Sequence, residues 1–77
     1  MATAELTLDA EAMFEAVDRR RRRLKMTRKQ VAQVLGVSPA AVTVWGAGGG
    51  IGADAALRIC VWLGCEIKDF AKKDEVA

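Results

Sequence analysis

Histidine and tyrosine are absent from this chain of 77 residues, proline occurs once and cysteine twice. Without histidine, the side chain most often used for proton transfer near neutral pH is missing. Cys60 and Cys65 are too few for a disulfide-stapled scaffold, and without histidine or a second cysteine pair no structural zinc site is expected. Neither cysteine has a basic partner in the adjacent sequence, and no carboxylate pair is placed for acid/base work, so no catalytic residues are expected. No apolar run approaches the ~20 residues of a membrane span, and no signal-peptide pattern is visible. These absences predict a cytoplasmic protein that is not an enzyme and uses no metal or cofactor.

A chain of this length makes one domain, which buries only about 60% of its unfolded surface. One core is expected, with no separate dimerisation domain. The formal net charge of +2 decides little, but its distribution is lopsided. From Arg19 to Lys29 there are eight basic residues and no acid, whereas Met1 to Asp18 carries five acids and no base. This asymmetry points to an anionic partner at one surface.

The most informative stretch runs from Thr27 to Trp45, T-R-K-Q-V-A-Q-V-L-G-V-S-P-A-A-V-T-V-W. Thr27 with Gln30 is a capping box that starts a helix. Val31, Ala32 and Leu35 give that helix an apolar stripe, and Gly36 stops it by tolerating positive φ. Ser38 and Pro39 then restart a helix, serine by capping free N–H groups and proline by losing nothing at the first helical position. Two helices across one short turn cross steeply, leaving the second with a face free for a partner.

Asp9 is expected to cap a first helix from about Ala10, with Phe14, Val17, Arg21 and Leu24 as its stripe. Five consecutive arginines, Arg19 to Arg23, spread around the helix and cannot all face one ligand. The segment Gly46 to Gly52 has five glycines in seven residues. No strand precedes it and no Lys with Ser or Thr closes it, so it reads as a flexible connection whose N–H groups can approach a phosphate closely. Asp54 is expected to cap the next helix, Ala56, Ile59, Cys60 and Leu63 to face inward, and Gly64 to end it. Trp62 lies off that stripe, either as a lid on the core or as a partner surface. Ile67 and Phe70 mark a short last helix. The sum is five helices and no strands.

Together, G-V-S-P-A-A-V-T-V-W, the capping-box helix before it and D-A-A-L-R-I-C-V-W-L-G-C-E-I-K-D-F after it resemble the lambda-repressor-like, Xre-type helix-turn-helix DNA-binding domains. The resemblance spans about Phe14 to Phe70. It implies an all-α, compact five-helix bundle with the helix-turn-helix formed by helices 2 and 3, preceded by a flexible tail (1–8) and followed by a charged tail (72–77), the domain itself occupying 9–71. It also implies a small repressor-like transcriptional regulator of prokaryotic or phage type that binds double-stranded DNA, often as a homodimer on a palindromic operator, with the helix from Ser38 in the major groove.

Carried over by position, the resemblance assigns Arg21, Arg22, Thr27, Arg28 and Lys29, and the backbone at Ala47 and Gly48, to phosphates. Ser38, Pro39, Ala40, Thr43 and Val44 fall on the recognition helix. Here the chain departs from the family. Pro39, Ala40, Ala41 and Val44 stand where relatives carry hydrogen-bonding side chains, and Gly46 stands where an acid often holds the first-helix arginine. Base reading is therefore left to Ser38, Thr43, methyl groups and DNA shape. The alternative is a repurposed module that grips a protein partner through the apolar face of Pro39, Ala40, Val44 and Trp45.

Overall fold

The structure is a computed structural model that describes residues 6–73. Its elements follow the order β1 (Leu6–Leu8), α1 (Ala10–Arg23), α2 (Arg28–Leu35), α3 (Pro39–Gly46), α4 (Ala53–Leu63), a one-turn 3₁₀ helix (Ile67–Phe70) and β2 (Ala71–Lys73).

Each helix starts and stops for a local reason. Asp9 opens α1 by accepting the Ala12 N–H at 3.0 Å, and the basic last turn, Arg20 to Arg23, suits the negative end of the helix dipole. The Thr27–Gln30 capping box is complete, with bonds of 2.8 and 3.1 Å in the two directions. Gly36, at φ +67°, ends α2 with paired bonds from its own N–H to Gln33 and from the Val37 N–H to Ala32. Ser38 caps α3 through the Ala41 N–H at 3.1 Å, with Pro39 at the first position. Gly64, at φ +72°, closes α4 the same way, and the Cys65 N–H bonds the Cys60 carbonyl at 3.0 Å.

The core is formed by Met13, Val17, Val31, Leu35, Trp45, Ala56, Ile59 and Cys60. Trp45 is its keystone. The indole Nε1–H donates to the Ala10 carbonyl at 2.7 Å, and its ring meets Phe14 edge-on, centroids 5.0 Å apart and planes at 86°. Through that one residue α3 is fixed against the start of α1.

Several expectations are corrected. Among the described residues there are four α-helices, not five. Ile67–Phe70 is a single 3₁₀ turn, because four residues between Glu66 and an extended Ala71 are too few to repeat the α-helical bond. Two strands exist where none were expected: β1 and β2 pair antiparallel, Leu6 opposite Lys73 and Leu8 opposite Ala71. Three residues each are too short to show a period of two. The inner ends of the two expected tails are thus these strands, while 1–5 and 74–77 lie outside the described residues. Asp54 is not the cap of α4. The helix begins at Ala53 with Gly52 before it, which leaves the carboxylate in the first turn, where the dipole still favours it. On α1 the deepest residue is Met13 rather than a member of the expected stripe, and Leu24 is exposed because it lies past the last turn. Ile67 is exposed as well.

Candidate nucleic-acid interface

At the start of α2, Thr27, Arg28 and Lys29 are all exposed, and the first turn contains no acid. Cations at a helix N-terminus oppose the dipole, so these two add to a positive potential instead of stabilising the helix. Arg28 is held in place by its guanidinium lying over the Phe14 ring, 5.7 Å from the centroid. Arg19, Arg22 and Arg28 then border one surface depression with Gly46 at the end of α3, shared with Glu11, Glu15 and Asp18.

The two first-helix arginines separate in role. Asp18 is buried and binds both, through Arg21 Nε at 2.8 Å and Arg22 Nη2 at 2.6 Å. Arg21 also donates from Nη1 to the Met26 carbonyl at 2.9 Å, so its side chain is 19% exposed and stitches α1 to the turn before α2. The Arg22 side chain remains 72% exposed. The acid absent from position 46 is replaced here by Asp18 on α1 itself. A Cβ at position 46 would sit 2.9 Å from the tip of the Phe14 ring, so a side chain there would require the ring to move. Sequence reading overlooked Asp18, although its spacing of three and four from Arg21 and Arg22 was a visible signal.

Burial pushes the Asp18 carboxyl up, but the Arg21 hydrogen bond and the charges of Arg21, Arg22 and Arg28 outweigh it, so its pKa lies below the usual value. A depressed folded pKa gives stability that is present above the unfolded value, near 4, and lost as pH falls through the folded one. Asp18→Asn should therefore cost about 2 kcal/mol at pH 7, between the values for exposed and fully buried pairs. Urea unfolding at pH 7 and at a series of acid pH values running well below the usual carboxylate range checks it, since the difference should shrink as the carboxylate is protonated. An unchanged difference at low pH would rule out the charged pair as the cause.

On α3, Ser38, Pro39, Ala40, Ala41, Thr43 and Val44 are exposed, while Val42 and Trp45 face inward. Trp45 therefore does not belong to the expected apolar outer face. With Val42 three residues earlier, it occupies the opposite side of the helix. In the following loop, Ala47 and Gly48 do not present their N–H groups outward. The Ala47 N–H bonds the Thr43 and Val44 carbonyls, and the Gly48 N–H bonds that of Trp45, which terminates α3.

Away from this surface, Trp62 is half-buried with the Arg20 guanidinium 5.2 Å above its ring. Its neighbour Arg58 turns instead to the Gly36 carbonyl at 3.2 Å. Cys60 is buried and Cys65 half-buried. Burial, then Cys65 and Asp69, push the Cys60 thiol up. Among the described residues no group of three or more His, Cys, Asp or Glu is placed to hold a metal, and no helix is long and apolar enough to cross a membrane.

A capped helix bearing cations at its start, a three-residue turn and a second helix with a free face define a DNA-binding helix-turn-helix module. The chain belongs to the family of Cro/C1-type HTH DNA-binding domains, whose family model matches residues 17–73. This is a family of DNA-binding domains associated with transcription regulation. No curated protein and no solved structure matches the chain.

Proposed function

We propose that this domain is a repressor-like regulator that lays α3 in the major groove of double-stranded DNA. Arg22, Thr27, Arg28 and Lys29 hold the phosphates beside it. Arg21 acts as a positioning residue, fixing the turn that aims the start of α2. Ala47 and Gly48 hold the end of α3 rather than a phosphate. The observation that carries this reading is the pair of cations at the start of α2. Both are exposed and work against their own helix, and Arg28 stands beside Arg22 at one depression, an arrangement that an anionic backbone rationalises. The rival reading, a protein gripped by the apolar face of α3, loses its largest anchor with Trp45 buried.

Fluorescence anisotropy against the chain's own upstream DNA and a scrambled duplex, at several salt concentrations, tests it. Binding should weaken steeply as salt rises, with log K falling by about 0.9 per phosphate neutralised. Tighter binding to the native fragment establishes a specific regulator. Absence of binding to both duplexes at low salt overturns the proposal.

A further inference from the structure

The outer face of α3 is made of methyl groups. Ala40, Ala41 and Val44 are exposed and carry no hydrogen-bonding atoms, and Val44 keeps 59% of its surface in solvent. The two hydroxyls of this segment are engaged by the helix itself. Ser38 Oγ accepts the Ala41 N–H, and Thr43 Oγ1 donates its proton to the Pro39 carbonyl, each at 3.1 Å. From Gln30 through Ala53 the chain has no charged residue. No arginine or lysine on α3 or its following loop exists to reach guanine, and no glutamine or asparagine on either exists to pair with adenine.

Val44 is also braced from behind. Gly49 lies so close that a Cβ there would sit 2.6 Å from Val44 Cγ1, and the Gly49 N–H bonds the Val44 carbonyl at 2.9 Å. Beside it an apolar hollow is lined by Val37, Ala41, Val44, Gly50 and Ile51. Val44 thus packs on the loop backbone at Gly49 while keeping its outer side in solvent.

Among the base edges of the major groove, the one apolar feature is the methyl group on C5 of a pyrimidine, carried by thymine and by 5-methylcytosine. Resting on the DNA-binding reading above, we propose that α3 discriminates between sequences by this methyl group, with Val44 as the principal contact and Ala40 and Ala41 beside it. The only hydrogen-bonding side chains on α3 and its cap, Ser38 and Thr43, already spend one function each on the helix and cannot make the bidentate contacts that single out guanine or adenine. Removing one methyl from apolar contact should change affinity about fourfold. Specificity therefore accumulates in small steps over several pyrimidines.

The test begins with the tightest duplex recovered from a random-sequence pool. It is resynthesised so that each thymine step in turn is T·A, U·A, 5-methyl-C·G or C·G, a set that varies methyl and base pair independently. At one or more steps, T·A should bind about fourfold tighter than U·A, and Val44→Ala should bring that ratio close to one. Because Val44 is exposed, the variant keeps its fold, which circular dichroism verifies. An equal gain for 5-methyl-C·G over C·G assigns recognition to the methyl whichever base carries it. A gain confined to T·A assigns it to thymine. Equal, salt-sensitive binding to all four overturns methyl reading while leaving DNA binding intact, and a methyl gain that survives in Val44→Ala overturns the role of Val44. No binding to any duplex at low salt overturns the DNA-binding reading itself.

Discussion

Trp45→Ala should destabilise the chain by about 4–6 kcal/mol. The side chain is buried, touches Phe14 edge-on and donates to the Ala10 carbonyl. Truncating a buried tryptophan costs about 3–5 kcal/mol through lost burial and the cavity left behind. Losing the bond to the carbonyl adds about 1 kcal/mol. A domain of this length is stabilised by roughly 4–12 kcal/mol in total, so a loss of about 4–6 kcal/mol removes from about a third to all of it. Urea titration followed by circular dichroism measures the effect. Trp45→Phe separates the contributions, since it keeps an aromatic ring but not the donor, and should cost about 2 kcal/mol. A loss below 1 kcal/mol for Trp45→Ala would show that α3 is held to α1 by something other than this residue.

The second large effect concerns binding rather than folding. Replacing Arg22, Arg28 and Lys29 together by alanine should reduce the salt slope by about 2.7 units and weaken DNA binding roughly 10²–10³-fold near 0.1 M salt. Stability should change little. Arg22 loses an exposed ion pair worth at most about 1 kcal/mol, Arg28 loses its contact with Phe14, and α2 loses two cations that opposed its dipole. Net charge falls from +2 to −1, the +2 less three cations. An equal change made elsewhere is therefore the proper control. Lys68, Lys72 and Lys73 replaced by alanine carry the same arithmetic on the 3₁₀ turn and β2. If that control flattens the slope equally, overall charge rather than the placement of Arg22, Arg28 and Lys29 governs binding.

The helices were legible at most boundaries decided by residues within four positions, the start of α4 excepted. Asp9, the Thr27–Gln30 pair, Gly36, Ser38–Pro39 and Gly64 act as their types suggest, because capping is local chemistry. Apart from Asp54, which lies one residue inside its helix instead of before it, what failed was mostly non-local or very short. The pairing of Leu6–Leu8 with Ala71–Lys73 joins opposite ends of the sequence and leaves no local periodicity. Trp45 was misplaced because Pro39, Ala40, Val44 and Trp45 are all apolar, and composition cannot say which side of a uniformly apolar helix faces in. Counting from Val42 would have shown it. The basic run from Arg19 to Arg23 was legible as a charge, yet division of labour within it depended on Asp18, whose burial no sequence pattern announces. Ala47 and Gly48 were read as donors to a partner because the bonds that consume them form only when α3 ends where it does.

The short β1–β2 ribbon has a kinetic consequence. To form it, the chain from Leu8 to Ala71 must already be closed into a loop, at an entropic cost of about 4 kcal/mol if nothing else has folded. A two-stranded ribbon is marginal alone, and β2 is exposed throughout. The strands therefore assemble last, after α1 and α4 have brought their ends together, and separate first. Amide protons of Leu6–Leu8 and Ala71–Lys73 should exchange with solvent through this partial opening, well before those of Val31–Leu35. The ends of the molecule can unzip repeatedly while the paired helices between them stay closed.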